Sequence, residues 1–255
     1  MRALCLLRDS LVYRKDAFCA GLTAAGYTVV NKLPDPRPED ILVIWNRYGP
    51  YHEQANFFES RRARVVVTEN GHLGKEWRGG NWYSLTTHHN GGAGLYVYGG
   101  PERWDNWKVT LAPWKRGKEI IIFGQRGIGE PNHRAPINWA EVTQRKVRGS
   151  RIRPHPGNHP AAVSLEDDLA NAYACITWHS AAANKALLMG VPVFYDYPSW
   201  IGAMAGKPLK ALLDGEEPNR NDCDRLEAFR HMAWAMWDLA EIQTGMPFKH
   251  LLFHL

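Results

Sequence analysis

No apolar run in this chain approaches the ~18–20 residues that a membrane span needs. No apolar signal stretch opens it either, because Arg8 and Asp9 arrive too soon after Met1. The chain is therefore expected to stay in the cytosol, away from the membrane. Cysteine is scarce. Cys5, Cys19, Cys175 and Cys223 stand far apart with no CxxC pair. Such cysteines read as reduced, mostly buried thiols and not as a zinc site. Internal repeats and low-complexity stretches are absent. What is there is globular: 255 residues, 45% apolar and 22% charged. Those values exclude a disordered chain and suit one large domain or two small ones.

The charge is unevenly spread. Residues 115–155 hold ten Lys or Arg against three acids, so this segment carries +7. The whole chain carries +5, which leaves −2 for everything else. A surplus of this kind suits a polyanion, either a phosphorylated small molecule or nucleic acid, or else a solvated basic face. Eleven tryptophans strengthen the ligand reading, since large aromatics beside cations stack bases or sugars.

Apolar runs alternate with helical patterns. Residues 2–7 read as a strand and 14–25 as a helix closed by Gly26. Residues 27–30 suit a short strand. ILVIW at 41–45 and RVVVTE at 64–69 suit strands buried on both faces of a parallel sheet. Residues 70–114 turn irregular and Gly-rich, and 112–119 resemble a linker. A second series follows: a strand at 119–124, a helix at 137–147, and a short strand ending in RPHPG. A helix capped by Ser164 and a strand at 173–178 come next. Then a helix runs over 180–190 with Ser180 as its N-cap, followed by a strand at 191–196 and a long helix over 222–243. The order predicts an α/β protein of two Rossmann-like domains, 1–114 and 115–255, with a terminal helix.

Three strand ends in the second half carry polar residues. Gln125, Arg126 and Gly127 follow the first strand in FGQRGIGEP, which lacks the G-K-[ST] of a Walker A loop. Arg153 and His155 end another strand, and a guanidinium there can grip phosphate in a bidentate manner. Trp178, His179, Ser180 and Ala181 open a helix whose free N–H groups and dipole favour an anion. Ligands of open α/β sheets sit beyond the carboxyl ends of the strands, so these residues are expected to converge.

The segment Thr177-Trp178-His179-Ser180 through A-L-x-x-G-V-P-V-F, preceded by Arg153-Pro154-His155-Pro156, resembles the donor-binding βαβ of GT-B glycosyltransferases of the capsule and Kdo type. The chain also resembles small phage- and prophage-encoded proteins. The shared phrases are W-N-R-Y at 45–48, E-N-G-x-L-G at 69–74, H-N-G-x-G over 89–94, Q-R-G-I-G at 125–129 and the Trp-rich segment 233–237. The resemblance implies two domains facing across a cleft, a bacterial host cell, and a nucleotide-sugar donor such as UDP-glucose. It implies a metal-independent and inverting transfer by a monomer, with no cofactor. Lys185 stands where many such enzymes carry the ribose-binding Glu. A lysine cannot accept ribose hydrogen bonds, but it can bind a phosphate or carboxylate.

Inverting transfer needs a proton acceptor. Glu69, ending a buried strand, is the first candidate; His72, His88 and His89 in the Gly-rich loop are its rivals. Trp45, Asn46, Arg47 and Tyr48 are expected beside it. His88–His89 lacks carboxylates at metal-ligand spacing. The basic surplus, the tryptophans and the phage-like phrases point to double-stranded DNA with a hydroxymethylated pyrimidine as acceptor. A surface glycan or lipid-linked acceptor is the alternative, as is a non-catalytic nucleic-acid-binding protein with a transferase fold.

Overall fold

The computed structural model describes residues 1–89, 94–130, 132–157 and 163–253. Residues 90–93 of the H-N-G-x-G phrase lie outside the described residues. The chain divides into two compact units, one made of 1–99 with 234–255 and the other of 100–233.

The first unit is built on six strands. Their order across the sheet is Met236–Asp238, Trp82–Thr87, Arg64–Asn70, Ile41–Trp45, Arg2–Cys5, Thr28–Val30. The last four run parallel, and the first two add antiparallel at one edge. Strand periodicity divides the side chains between two faces. Ala3, Cys5, Ile41, Val43, Val66, Tyr83 and Leu85 meet Phe18, Leu22, Phe248 and Leu251 from helices Lys15–Ala24 and Met246–Phe253. Leu4, Leu42, Ile44, Val65 and Val67 meet Ala55 and Phe58 of helix Pro50–Ser60. Ile41 to Ile44 are fully buried, as a strand covered on both faces must be.

The second unit holds a parallel five-stranded sheet, ordered Lys207–Pro208, Val193–Tyr195, Ala172–Thr177, Glu119–Phe123, Arg151–Arg153. Ile122, Ala174, Ile176 and Phe194 pack with Trp139, Ala140 and Val147 on one face. Helix Trp139–Lys146 lies on that face, and helix Ala181–Leu188 buries Ala183, Ala186 and Leu187.

Three expectations need correction. Residues 70–114 are not structureless: Trp82–Thr87 is a strand whose Tyr83 and Leu85 alternate into the core. The boundary falls near residue 100 instead of 114. The segment expected as a linker is docked within the second unit, where Ala112 N donates to Leu188 O at 3.1 Å and Lys115 N to Gly190 O at 2.7 Å. Arg225 lies 3.9 Å over the ring of Trp114. Third, the long terminal helix is broken. Helix Asp222–Ala233 ends in the second unit, stacking Phe229 on Trp104. The chain then enters the first unit, pairing Trp237 with Tyr83 as an edge strand. Asp238 and Glu241 form a capping box that starts a fresh helix, Leu239–Gln243.

Candidate functional site

The second unit's chain leaves strand Glu119–Phe123, forms Arg151–Arg153 on one side, then crosses to form Ala172–Thr177 on the other. This reversal is a topological switch point, and the loops at its carboxyl side diverge to leave a ligand crevice. Gly124 brings two of these loops together. Its N–H donates to Arg153 O at 2.8 Å, and a Cβ there would stand 3.1 Å from that oxygen and 3.2 Å from His155 N. Arg126 is exposed. Its Cδ and Nε would both lie 3.2 Å from a Cβ on Gly157, and His155 Nδ1 would lie 3.1 Å from it. Arg126 and His155 thus converge over one glycine. Gly157 N–H donates to His155 Nδ1 at 2.9 Å. A neutral ring accepting there carries its proton on Nε2. Burial, then the charge of Arg126, hold His155 below the usual histidine range and so favour that neutral ring. Gln125 turns back, its Nε2 donating to Phe123 O at 3.3 Å. Gly127 takes a left-handed φ of 65°, which glycine adopts without strain.

The loop after Ala172–Thr177 opens a helix as its sequence implies. Ser180 N donates to Thr177 Oγ1 at 2.8 Å, and Ser180 Oγ accepts from Ala182 N at 3.2 Å. The exposed Ala181 offers no side chain to block an approaching anion. Lys185 is half-buried in the last turn of this eight-residue helix. It starts about 6 Å along the axis from Ala181, at 1.5 Å per residue, and its side chain leans back toward the helix start.

Beside the switch point stands an aromatic wall. Trp178 packs on Trp139 and Tyr197, with ring centroids 5.9 and 5.6 Å apart, and His179 meets Tyr197 edge-on at 5.5 Å. His133 ties the glycine-rich loop to that wall. Its carbonyl accepts from Trp178 Nε1 at 2.7 Å and from His179 Nε2 at 3.1 Å, and its ring bonds the Tyr197 hydroxyl. Trp139 Nε1 donates to Asp196 Oδ2 at 2.7 Å. Burial pushes His179 below its ordinary pKa, so it acts as a neutral donor here. His133, Asp196 and Tyr197 went unnoticed in the sequence. No local motif marks them, since each reaches its partner through the fold.

Arg153 corrects an expectation. Its guanidinium pairs with Asp168 and lies near the carbonyls of Ser164 and Val163, at 3.4 and 3.2 Å. Arg151 joins the same carboxylate at 2.7 Å and Glu119 at 2.9 Å. A guanidinium so engaged is a strut between strand and helix, not a grip for phosphate.

In the first unit Glu69 is half-buried near the carboxyl end of Arg64–Asn70, opposite Ser84. Its rivals lie elsewhere. Thr87 pairs with Val66, three residues before Glu69, so His88, one residue further, starts about 13 Å away along the strand, at ~3.3 Å per residue. His88 has φ 70°, shares a 3.0 Å contact between its Nδ1 and Thr87 Oγ1, and offers its carbonyl to Arg47 at 2.5 Å. His89 N donates to Thr87 O at 2.8 Å, and its carbonyl accepts from Thr86 Oγ1 at 2.5 Å. His72 is buried, and desolvation pushes it down to about 4, far from a working base. Arg47 is also removed from the expected group. It is buried in an ion pair with Glu59 at 2.6 Å and a hydrogen bond to Asn56 at 2.8 Å. Trp45 packs edge-on against Tyr13 at 4.8 Å, Asn46 is buried, and Tyr48 is exposed.

No helix among the described residues is long and apolar enough to cross a membrane. No family model and no curated protein matches the chain. Solved structures do. One is Thermosulfurimonas dismutans KpsC, beta Kdo 2,7 transferase, at TM-score 0.56 and 13% identity. Another is the beta Kdo 2,4 transferase of the same name and organism, at TM-score 0.56 and 12% identity. Each alignment covers 96% of this chain and 98% of the other. At such identities the likeness is one of fold alone. It agrees with the Kdo-type resemblance of the segments at 153–156 and 177–194 and extends over nearly the whole chain.

Proposed function

We propose that this protein is a glycosyltransferase that binds a nucleotide-sugar donor at the carboxyl ends of its second sheet. What supports this reading is that Arg126 and His155 meet over Gly157 at the carboxyl side of the second sheet, and that the Ser180-capped helix start follows the strand next in that sheet. In this reading Arg126 and the helix dipole meet the donor phosphates, with His155 Nε2–H as a further donor. The acceptor hydroxyl attacks the anomeric carbon as the bond from that carbon to the leaving phosphate oxygen breaks. Glu69 takes the hydroxyl proton, and the cationic groups stabilise the charge that develops on the leaving nucleotide. The transfer inverts the anomeric centre and needs no metal to neutralise the phosphates.

We propose a hydroxymethylated pyrimidine in DNA as the acceptor. What supports this is the basic surplus of 115–155. Seven of its ten cations are exposed: Arg116, Lys118, Arg126, Arg134, Arg145, Lys146 and Arg148. Arg151 and Arg153 are neutralised by Glu119 and Asp168 and drop out of the count. The test is mass spectrometry of nucleosides from hydroxymethylcytosine- or hydroxymethyluracil-containing DNA, after incubation with the protein and a panel of nucleotide sugars. A hexose-shifted nucleoside supports the proposal. Donor consumption with unmodified DNA redirects the acceptor to a glycan, and no donor consumption at all rejects catalysis.

A further inference from the structure

One residue of the second unit joins three strand-end loops and has no part in the chemistry assigned so far. His133 lies in the loop that leaves strand Glu119–Phe123, the same loop that carries Arg126. Its carbonyl accepts from Trp178 Nε1 at 2.7 Å and His179 Nε2 at 3.1 Å, both in the loop that leaves strand Ala172–Thr177. Its ring Nδ1 is hydrogen-bonded to the hydroxyl of Tyr197, which lies just past strand Val193–Tyr195. These three strands are neighbours in the sheet. The near end of the Arg126 loop is held separately, where Gly124 N donates to Arg153 O at 2.8 Å. Arg126 therefore sits between two anchors. The stretch between them includes Gly127 and Gly129, with φ of 65° and 124°, so its own backbone holds it weakly.

The His133 ring has a defined orientation. Glu130 Oε2 stands 4.0 Å from its Nε2, and that carboxylate is 12% exposed. A carboxylate on that side favours the proton on Nε2 and leaves Nδ1 to accept from the Tyr197 O–H. Tyr197 is itself fixed: it is buried, and its ring packs on Trp178 at 5.6 Å and His179 at 5.5 Å between centroids.

We propose that His133 is a positioning residue for the donor site. Through its bond to Tyr197 it holds the Arg126 loop in the geometry that meets the donor phosphates, and it does so without touching the donor. This rests on the reading of Arg126 as a phosphate-binding cation. A loop already in place spares the cost of ordering it when the donor arrives, so affinity rises with no added contact to the donor.

The experiment is calorimetric titration of UDP-, GDP- and CMP-linked sugars into the whole protein and its variants. Tyr197→Phe keeps the packed ring and removes the hydroxyl. His133→Ala removes the ring and keeps the carbonyl that Trp178 and His179 use. Each is expected to raise the donor Kd about three- to tenfold, the weight of one hydrogen bond. His133→Asn, whose amide can place an acceptor near the Nδ1 position, should restore most of the affinity. In an Arg126→Ala background, His133→Ala should change Kd by less than about twofold, because residues acting through one another are not additive. A merely structural role would give the same loss in both backgrounds, and that result overturns the proposal. Parent-like affinity in both Tyr197→Phe and His133→Ala overturns it as well. Either result leaves donor binding by the parent standing, whereas a parent that binds no nucleotide sugar overturns the donor-site reading and this proposal with it.

Discussion

Arg153 and Asp168 face each other as an ion pair in which both side chains are largely buried, 11% and 9% exposed. The pair joins the edge strand Arg151–Arg153 to helix Leu165–Asp168. Arg153→Ala leaves Asp168 with Arg151 alone, at 2.7 Å. The variant is expected to lose about 1–3 kcal/mol of stability, the usual cost of stranding a partly buried charged partner. Donor affinity should stay within about twofold of the parent, since a charged phosphate contact is worth about 1.5 kcal/mol or more. Urea denaturation and calorimetry together check this. A stable variant that no longer binds donor would return Arg153 to the phosphates.

Glu69→Gln keeps the shape of the side chain and removes the base. Turnover is expected to fall about 10²–10⁴-fold, the typical weight of general-base catalysis, with donor binding nearly intact. His88→Gln and His89→Gln should leave turnover close to the parent, because the strand register starts both residues away from Glu69. Steady-state rates of the three variants decide among them. A loss in a histidine variant alone would move the base to that residue.

His72 predicts a pH dependence. Its folded-state pKa of about 4 lies below the ordinary 6.5, through desolvation. Below pH 6.5 the unfolded chain binds this proton and the folded chain does not, so stability is lost as pH falls. The loss runs from pH 6.5 down through pH 4 and amounts to about 3 kcal/mol. Denaturation midpoints across this range should slope downward in the parent and less steeply in His72→Gln. Equal slopes would show that another group carries the effect.

Binding to duplex DNA should fall steeply with salt, because neutralised phosphates release counterions. Exchanging the exposed Arg145, Lys146 and Arg148 for Gln should flatten the plot of log affinity against log salt by up to about 3 units, near one per lost phosphate contact. Fluorescence anisotropy at several salt concentrations measures this. Salt-independent binding, or none, would exclude DNA as the acceptor.

Local chemistry was readable where neighbours in sequence settle it. Ser180 before three alanines gave its cap away, and ILVIW suited a strand covered on both faces. The carboxyl-end loops of the second unit followed from strand order, which places Arg126 beside His155. The partner of Arg153 was not readable, because Asp168 lies in a different element and nothing near Arg153 names it. His133 reaches Trp178 and Tyr197 through the fold, so no spacing could announce it. Strand Met236–Asp238 was hidden by helical residues on both sides, and its pairing with Trp82–Ser84 spans most of the chain.

The most direct test of the account is calorimetric titration of a nucleotide-sugar panel into the protein and into Arg126→Ala. At least one donor is expected to bind the parent, and Arg126→Ala should weaken it by about 1.5–3 kcal/mol, a roughly 10–150-fold rise in Kd. A panel in which no donor binds the parent, or a variant that binds as well as the parent, would contradict the account.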